Sequence, residues 1–514
     1  MKKISLVLLS ALACGFSYAE IWMSKIYSDN MMLQRNALVK IKGKADANAR
    51  IDVEFGGQKK STKADASGNW SLKLDKMSAN KNPQEMTVSE NGKVGKVIKN
   101  ILVGEVWVAG GQSNMEWHLA KTVDGADANA RADYPYMRYF AQHSYGEPQN
   151  VAHKKQGDSP NGRWLVAEKG KVGGWSAVGF YFAEKIMKDL DVPVAIVYAS
   201  RGATSMINWL PEEELARQEY TKARKAEFDL ALSKYDYKTE LAKHKKKMAD
   251  AKIEDEKLKA EGKPKKTRRW DFHLPPLPNS PWAIGSTPSF LYNLLLHPLC
   301  SFTVRGAIWY QGEGDSGGAP CKNFEIQMKQ VVDTYRNVFE NKNMHFYWVQ
   351  LTSFRNDWSD VRWRQLKARD IMKNTGVVNT LDVGELNDIH PKYKTEVGER
   401  LSGLALREVY KQKNVHPYSP EFKSATYSGD TAKVVLNMFG RKLEAKGDLR
   451  GFEVKVAGNW QKAKAEISGN DILVKSLDGK AVEGVRYLWK GWAKPDVCLF
   501  NQDGLPVFSF INEK

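Results

Sequence analysis

The sequence predicts an α/β protein built around a parallel sheet, with β-rich regions at both ends and a charged helical insertion. Three observations lead there. "NILVGEVWVAG" (100–110), "VPVAIVYAS" (192–200) and "VRGAIWYQG" (304–312) are dense, valine-rich runs of the kind buried on both faces of a parallel sheet, with "HFYWVQL" (345–351) a further candidate. Helix-period stretches lie among them, "VGFYFAEKIMKDL" (178–190) before one candidate strand and "FEIQMKQVVDTYRNVF" (324–339) after another. Short alternating stretches separated by turn residues fill both ends of the chain.

The opening "MKKISLVLLSALACGFSYA" has two lysines, an apolar run too short to span a membrane and a small-x-small ending, so residues 1–19 read as a secretory signal peptide. Cys14 also permits a lipoprotein reading, with lipid anchoring in place of simple cleavage after Ala19. Export places the protein in the periplasm or outside the cell. Residues 20–100, with "ALVKIKGKA", "ARIDVEFGG", "GNWSLKL" and "QEMTVSE", read as an N-terminal β-sandwich. Residues 101–210 and 270–412 form the α/β domain. Between its halves, residues 211–269 hold 18 basic and 13 acidic residues and few large apolar ones, which predicts a solvated helical hairpin. It is either a surface decoration or a lid or docking arm for anionic polymers. From residue 413 to 514, "TAKVVLNMF", "GFEVKVAGNW", "NDILVKS", "GVRYLWKGW" and "LPVFSFIN" predict a second β-sandwich region.

The net charge is +18, or +16 without Lys2 and Lys3, which points to anionic partners such as acidic glycans or the cell envelope. Export and the lack of a nucleic-acid-binding motif argue against nucleic acid. Cys300, Cys321 and Cys498 remain after signal cleavage. Cys300–Cys321 is the nearer pair for a disulfide, all three being small buried hydrophobes is the alternative, and no pair has zinc-ligand spacing.

Ser113 follows the first apolar run within "GEVWVAGGQSNMEW" (104–117). With Glu116 it has capping-box spacing, so it is either the cap of the next helix or a nucleophile at a strand-to-helix turn, and the two are compatible. Ligands on such sheets bind beyond the carboxyl ends of the strands. Gly202 and Ala203 lie beyond one end, where amides can face a cleft. Gln311, Gly312, Glu313 and Asp315 crowd another. Asp388 and His390 share a turn before a helix, so the carboxylate can orient the imidazole. A serine turn, amide donors and a histidine with a nearby acid make a hydrolase constellation.

"GQSNM", "WYQGEGD" and "DIHP" resemble the motif blocks of the SGNH hydrolases, in the branch holding sialate O-acetylesterases and related carbohydrate acetylesterases. "DNMMLQR", "LYNLLLHPL" and "RYLWKGWAKPDVCLFNQDGLPVFSF" extend the resemblance over most of the mature chain, apart from residues 211–269. It implies a three-layer α/β/α SGNH domain. It makes Ser113 the nucleophile and His390 the general base, with the oxyanion hole formed by the Ser113 amide, the Gly202 amide and the Gln311 side chain. Asp388 is favoured as the third triad member, two residues before His390 where the superfamily often has three, and Glu313 is its rival. Acyl transfer of this kind calls for no cofactor or metal. Trp117 and Trp209 follow the cleft blocks and are candidates to stack on a sugar. Arg201 and Arg355 are candidates for a sialate carboxylate. The reading that follows is an exported O-acetylesterase for sialic acid. Acetyl-xylan esterase and a non-catalytic glycan-binding protein are the alternatives, as is an envelope-docking protein using the lysine-rich insertion.

Overall fold

The computed structural model describes residues 21–143, 157–265, 285, 287–469 and 471–513; the expected signal peptide and Cys14 lie outside them. Its centre is a sheet with strands in the order Thr375–Val378, His345–Val349, Gly306–Tyr310, Lys93–Gly111, Val194–Ser200, Tyr134–Gln142, Gly162–Ala167. All neighbours run parallel except the last pair. The valine-rich runs become its middle: Val194–Ser200 and Gly306–Tyr310 are buried along their whole length, as strands covered on both faces must be.

Alternate side chains of these strands meet different helices. Trp107 packs edge-on against Phe182 of the helix Ala177–Leu190, with ring centroids 5.0 Å apart. Trp309 meets Tyr335 of the helix Phe324–Val338 at 5.8 Å. The helix Thr395–Glu408 lies on Ala177–Leu190 through Gly398, where a Cβ would come within 2.6 Å of the Tyr181 Cβ. That contact fixes the start of Thr395–Glu408, and with it the turn carrying His390.

The N-terminal strands continue the central sheet. Lys93–Gly111 runs unbroken across residues 100 and 101, where the sequence places a boundary. Its first half pairs with Asn80–Glu90, which pairs with Arg50–Phe55, and Met32–Gln34 adds to it in parallel. Val39–Lys44 and Asn69–Leu74 form a separate two-stranded ladder.

At the C-terminus the expected sandwich is instead one curled, seven-stranded antiparallel sheet. Its edge strands Glu421–Ser428 and Phe510–Glu513 come together, and Phe422 stacks on Phe510 at 4.9 Å. A curl that nearly closes removes exposed edges without needing a second sheet. It has its own core around Val434, Val454, Val474 and Val485. It docks on the α/β domain through Arg362, which is fully buried and donates to the carbonyls of Lys490 and Gly491.

The insertion is helical, over Glu212–Leu215, Glu219–Ser233 and Tyr237–Ala260. Its base is not free in solvent: Gln330 donates to the Glu214 carbonyl at 2.7 Å and to Thr221 Oγ1 at 3.2 Å. The Cys300–Cys321 disulfide does not form. Both thiols are free; Cys321 Sγ donates to Asp360 instead, at 3.4 Å.

Candidate active site

Ladder register brings the expected blocks together. Gly111 is level with Ser200 on one side and with Tyr310 on the other. The residues that follow each strand, Ser113, Gly202 and Gln311, therefore emerge at one edge of the sheet. The turn into Ser113 requires a glycine at 111, where φ is +127° and a Cβ would lie 2.3 Å from the Tyr310 carbonyl oxygen.

Ser113 opens a four-residue helix whose N-cap is Gln112, and no side chain caps it. The capping box implied by the Ser113/Glu116 spacing is absent, because both side chains are engaged elsewhere. Ser113 Oγ lies 2.8 Å from His390 Nε2. Glu116 Oε2 accepts the Gly202 amide at 2.7 Å. Gly202 is pressed against the serine; a Cβ there would stand 3.2 Å from the Ser113 Cβ.

Asp388 Oδ1 accepts the His390 backbone N–H at 2.9 Å and lies 3.7 Å from Nδ1, too far for a direct hydrogen bond. Glu313 instead accepts from the side chains of Gln112 and Asn114. Asn114 also donates to the Ile389 carbonyl at 3.0 Å, joining the serine turn to the histidine turn. Gln311 donates to Asp315 Oδ2 at 3.0 Å, and Asp315 also accepts the Met206 amide. Two of the three groups expected in an oxyanion hole, the Gly202 amide and the Gln311 carboxamide, thus already donate to carboxylates here.

Sequence reasoning missed Lys394. It is fully buried, its Nζ donates to Asn114 Oδ1 at 2.5 Å, and it lies 5.0 Å from the centre of the Tyr310 ring. Burial pulls its pKa down to about 7, against the favourable charges of Glu313, Asp388 and Glu385. Its one signal was position, four residues after His390 at the start of a helix. Desolvation raises Glu313, opposed by its hydrogen bonds and the charge of Lys394. Burial lifts Asp315 to about 6. Burial lowers His390 as well, aided by Lys394 and Lys121 and opposed by Asp388.

The aromatic candidates divide. Trp117 stacks on the His390 ring at 4.7 Å and 13°, with the Lys121 ammonium 5.1 Å from its ring centre. Trp209 is fully buried and packs edge-on against Trp309, so it faces the core and not a ligand. Arg201 is largely buried just past its strand, where its amide donates to the Gly111 carbonyl. Arg355 is exposed beside the Phe354 ring. Among the described residues, no group of three His, Cys, Asp or Glu is placed to hold a metal ion, and no helix is long and apolar enough to cross a membrane.

Residues 282–407 match the family model described as carbohydrate esterase, sialic acid-specific acetylesterase. The chain is 23% identical to a sialate O-acetylesterase of Rattus norvegicus, over 93% of this chain and 90% of that one. It is 21% identical to the Homo sapiens enzyme of the same name, over 93% and 88%. A crystal structure of a carbohydrate acetylesterase from Xanthomonas citri superposes with a TM-score of 0.78 at 27% identity, covering 96% of this chain and all of the other. The fold and these likenesses define an esterase. Within that class the chain is similar to carbohydrate acetylesterases, sialate O-acetylesterases among them.

Proposed function

We propose that the protein is an exported O-acetylesterase that removes acetyl groups from sialic acids by Ser113–His390 acyl transfer, on a three-layer α/β/α domain. The observation that carries the mechanism is the 2.8 Å contact of Ser113 Oγ with His390 Nε2 at the carboxyl edge of the parallel sheet. The relatives named sialate O-acetylesterase support the substrate, and the N-terminal sequence supports export.

Neutral His390 takes the Ser113 hydroxyl proton as Oγ attacks the acetyl carbonyl carbon. The carbonyl π pair moves onto oxygen. The Ser113 amide, the Gly202 amide released from Glu116 and the second N–H of the Gln311 carboxamide, whose first stays on Asp315, receive that charge. When the tetrahedral intermediate collapses, the C–O bond to the sugar breaks, and the sugar oxygen leaves with the proton from His390. Water, deprotonated by His390, then attacks the acetyl-serine and releases acetate, and Ser113 regains its proton. Asp388 faces Nδ1 and stabilises the imidazolium, its contact closing from 3.7 Å as charge develops.

Ser113→Ala is expected to abolish acetate release from p-nitrophenyl acetate and from O-acetylated sialic acid while the protein stays folded. Turnover near that of the wild type would exclude Ser113 as nucleophile. A panel containing acetylated xylan beside sialic acids separates the sialate reading from the plant-polysaccharide one.

A further inference from the structure

A cleft of about 770 Å³ opens beside the His390 turn. Leu386, Lys392 and Tyr393 from that turn line one wall, and Trp492, Lys494 and Pro495 of the C-terminal region line the other. Tyr393 follows His390 by three residues, so the two α-carbons are at most about 11 Å apart.

The walls are held in place. Lys494 reaches across, donating to the Gly384 carbonyl at 3.1 Å with its ammonium 5.0 Å from the centre of the Tyr393 ring. Gly491, next to Trp492, accepts the Phe354 amide at 3.2 Å and leaves no room for a side chain, since a Cβ would lie 2.2 Å from the Asn356 carbonyl oxygen. On the opposite side, the Val123 amide donates to the Lys392 carbonyl at 3.1 Å, which ties the segment after Trp117 to the same turn.

Leu386 and Tyr393 are 41% and 40% exposed, apolar surface on a turn that also carries the candidate base. Tyr393 and Trp492, with the Lys392 and Lys494 ammonium groups and the Glu385 carboxylate around them, suit a sugar ring, which offers C–H bonds on its faces and hydroxyls on its rim.

We propose that this cleft is a sugar-binding subsite that holds the residue next to the acetylated one, so the enzyme acts on oligosaccharides or polysaccharides and the C-terminal region is part of its substrate-binding surface. This rests on the esterase reading above and adds the chain length of the substrate.

The test uses the full-length enzyme with two series of probes. One comprises acetylated xylose and acetylated xylohexaose; the other comprises O-acetylated N-acetylneuraminic acid and its α2,8-linked trimer. The wild type is expected to favour the longer member of at least one series in kcat/KM by about tenfold, the equivalent of one well-made contact. In that series, Trp492→Ala and Tyr393→Ala should each lower the ratio of oligomer to p-nitrophenyl acetate kcat/KM by about tenfold, mainly through KM. Tyr393→Phe, which keeps the ring, should restore it. Equal rates on long and short members of both series, or ratios unchanged in the alanine variants, would overturn the subsite while leaving the esterase reading intact. Cleavage of p-nitrophenyl acetate with no acetate released from any of the four glycans would overturn both.

Discussion

Asp388 meets His390 twice, at its backbone N–H and near Nδ1, whereas the Glu313 carboxylate is engaged by Gln112 and Asn114. Different losses follow. Asp388→Asn should lower kcat by about 10² to 10⁴, the upper end being the loss seen when a triad aspartate is replaced. Glu313→Gln should act mainly on the integrity of the serine turn, lowering the melting temperature more than kcat. The opposite order of kcat losses would give the orienting role to Glu313. Lys394 supplies a test of sign. Its positive charge disfavours the His390 imidazolium, so Lys394→Met should raise the His390 pKa and move the acid limb of the kcat/KM profile to higher pH. The charges near His390 are Lys121, Asp388 and Lys394, and only the last is removed. An unchanged limb in a folded Lys394→Met enzyme would show that the lysine does not tune the base. The nearness of Asp388 to His390 could be read from local sequence; the partners of Glu313 and the burial of Lys394 could not. Trp117 and Trp209 each follow a cleft block by a few residues, yet one stacks on the His390 ring and the other fills the core. Burial of that kind is decided by residues far along the chain.

Elements were more legible than residues. The apolar runs near residues 106, 196 and 308 became buried strands because a run with no polar face fits only a doubly covered position. "GQSNM" and "DIHP" stood out as candidate chemistry, and the structure brings them together through Ser113–His390 and Asn114–Ile389 contacts. The curl of the C-terminal sheet was not legible, because alternation fixes which face of a strand is inward and not how far a sheet bends. The hairpin was read as helical from its composition, but its anchoring by Gln330 depends on a helix more than a hundred residues away. That anchoring changes how the insertion should be tested. Glu212–Phe228 should be kept and Asp229–Gly262 replaced by a Gly/Ser linker. The rate on p-nitrophenyl acetate is expected to stay within about twofold. Any loss on an acidic acetylated polymer should fade with salt, as screening cuts the reach of the lysines to about 8 Å at physiological strength. Collapse of the small-ester rate in a folded variant would make the distal hairpin part of the active site.

At the scale of the whole molecule, one carboxylate joins three segments. Glu105 is fully buried and pairs with Arg35 at 2.6 Å and Arg305 at 2.9 Å, while Gln34 donates to it at 3.0 Å. Glu105→Ala leaves two arginines without their partner. Complete burial of such a pair would make the loss about 3–5 kcal/mol. Both arginines keep some solvent contact, so about 2–4 kcal/mol is expected, read from denaturant unfolding with the m-value unchanged. A loss below about 0.5 kcal/mol would place this group among ordinary surface pairs.

Glu105 lies in the strand Lys93–Gly111, which pairs with N-terminal strands in its first half and with central α/β strands in its second. A strand continuous through both pairings couples the opening of one sheet to that of the other. Amide hydrogens from Val97 in the N-terminal half to Ala109 beside the serine turn should therefore exchange with solvent together, in one cooperative opening. Protection measured at the far end of the N-terminal region would then report on the serine turn itself, and a ligand that tightens that turn should slow exchange along the entire strand.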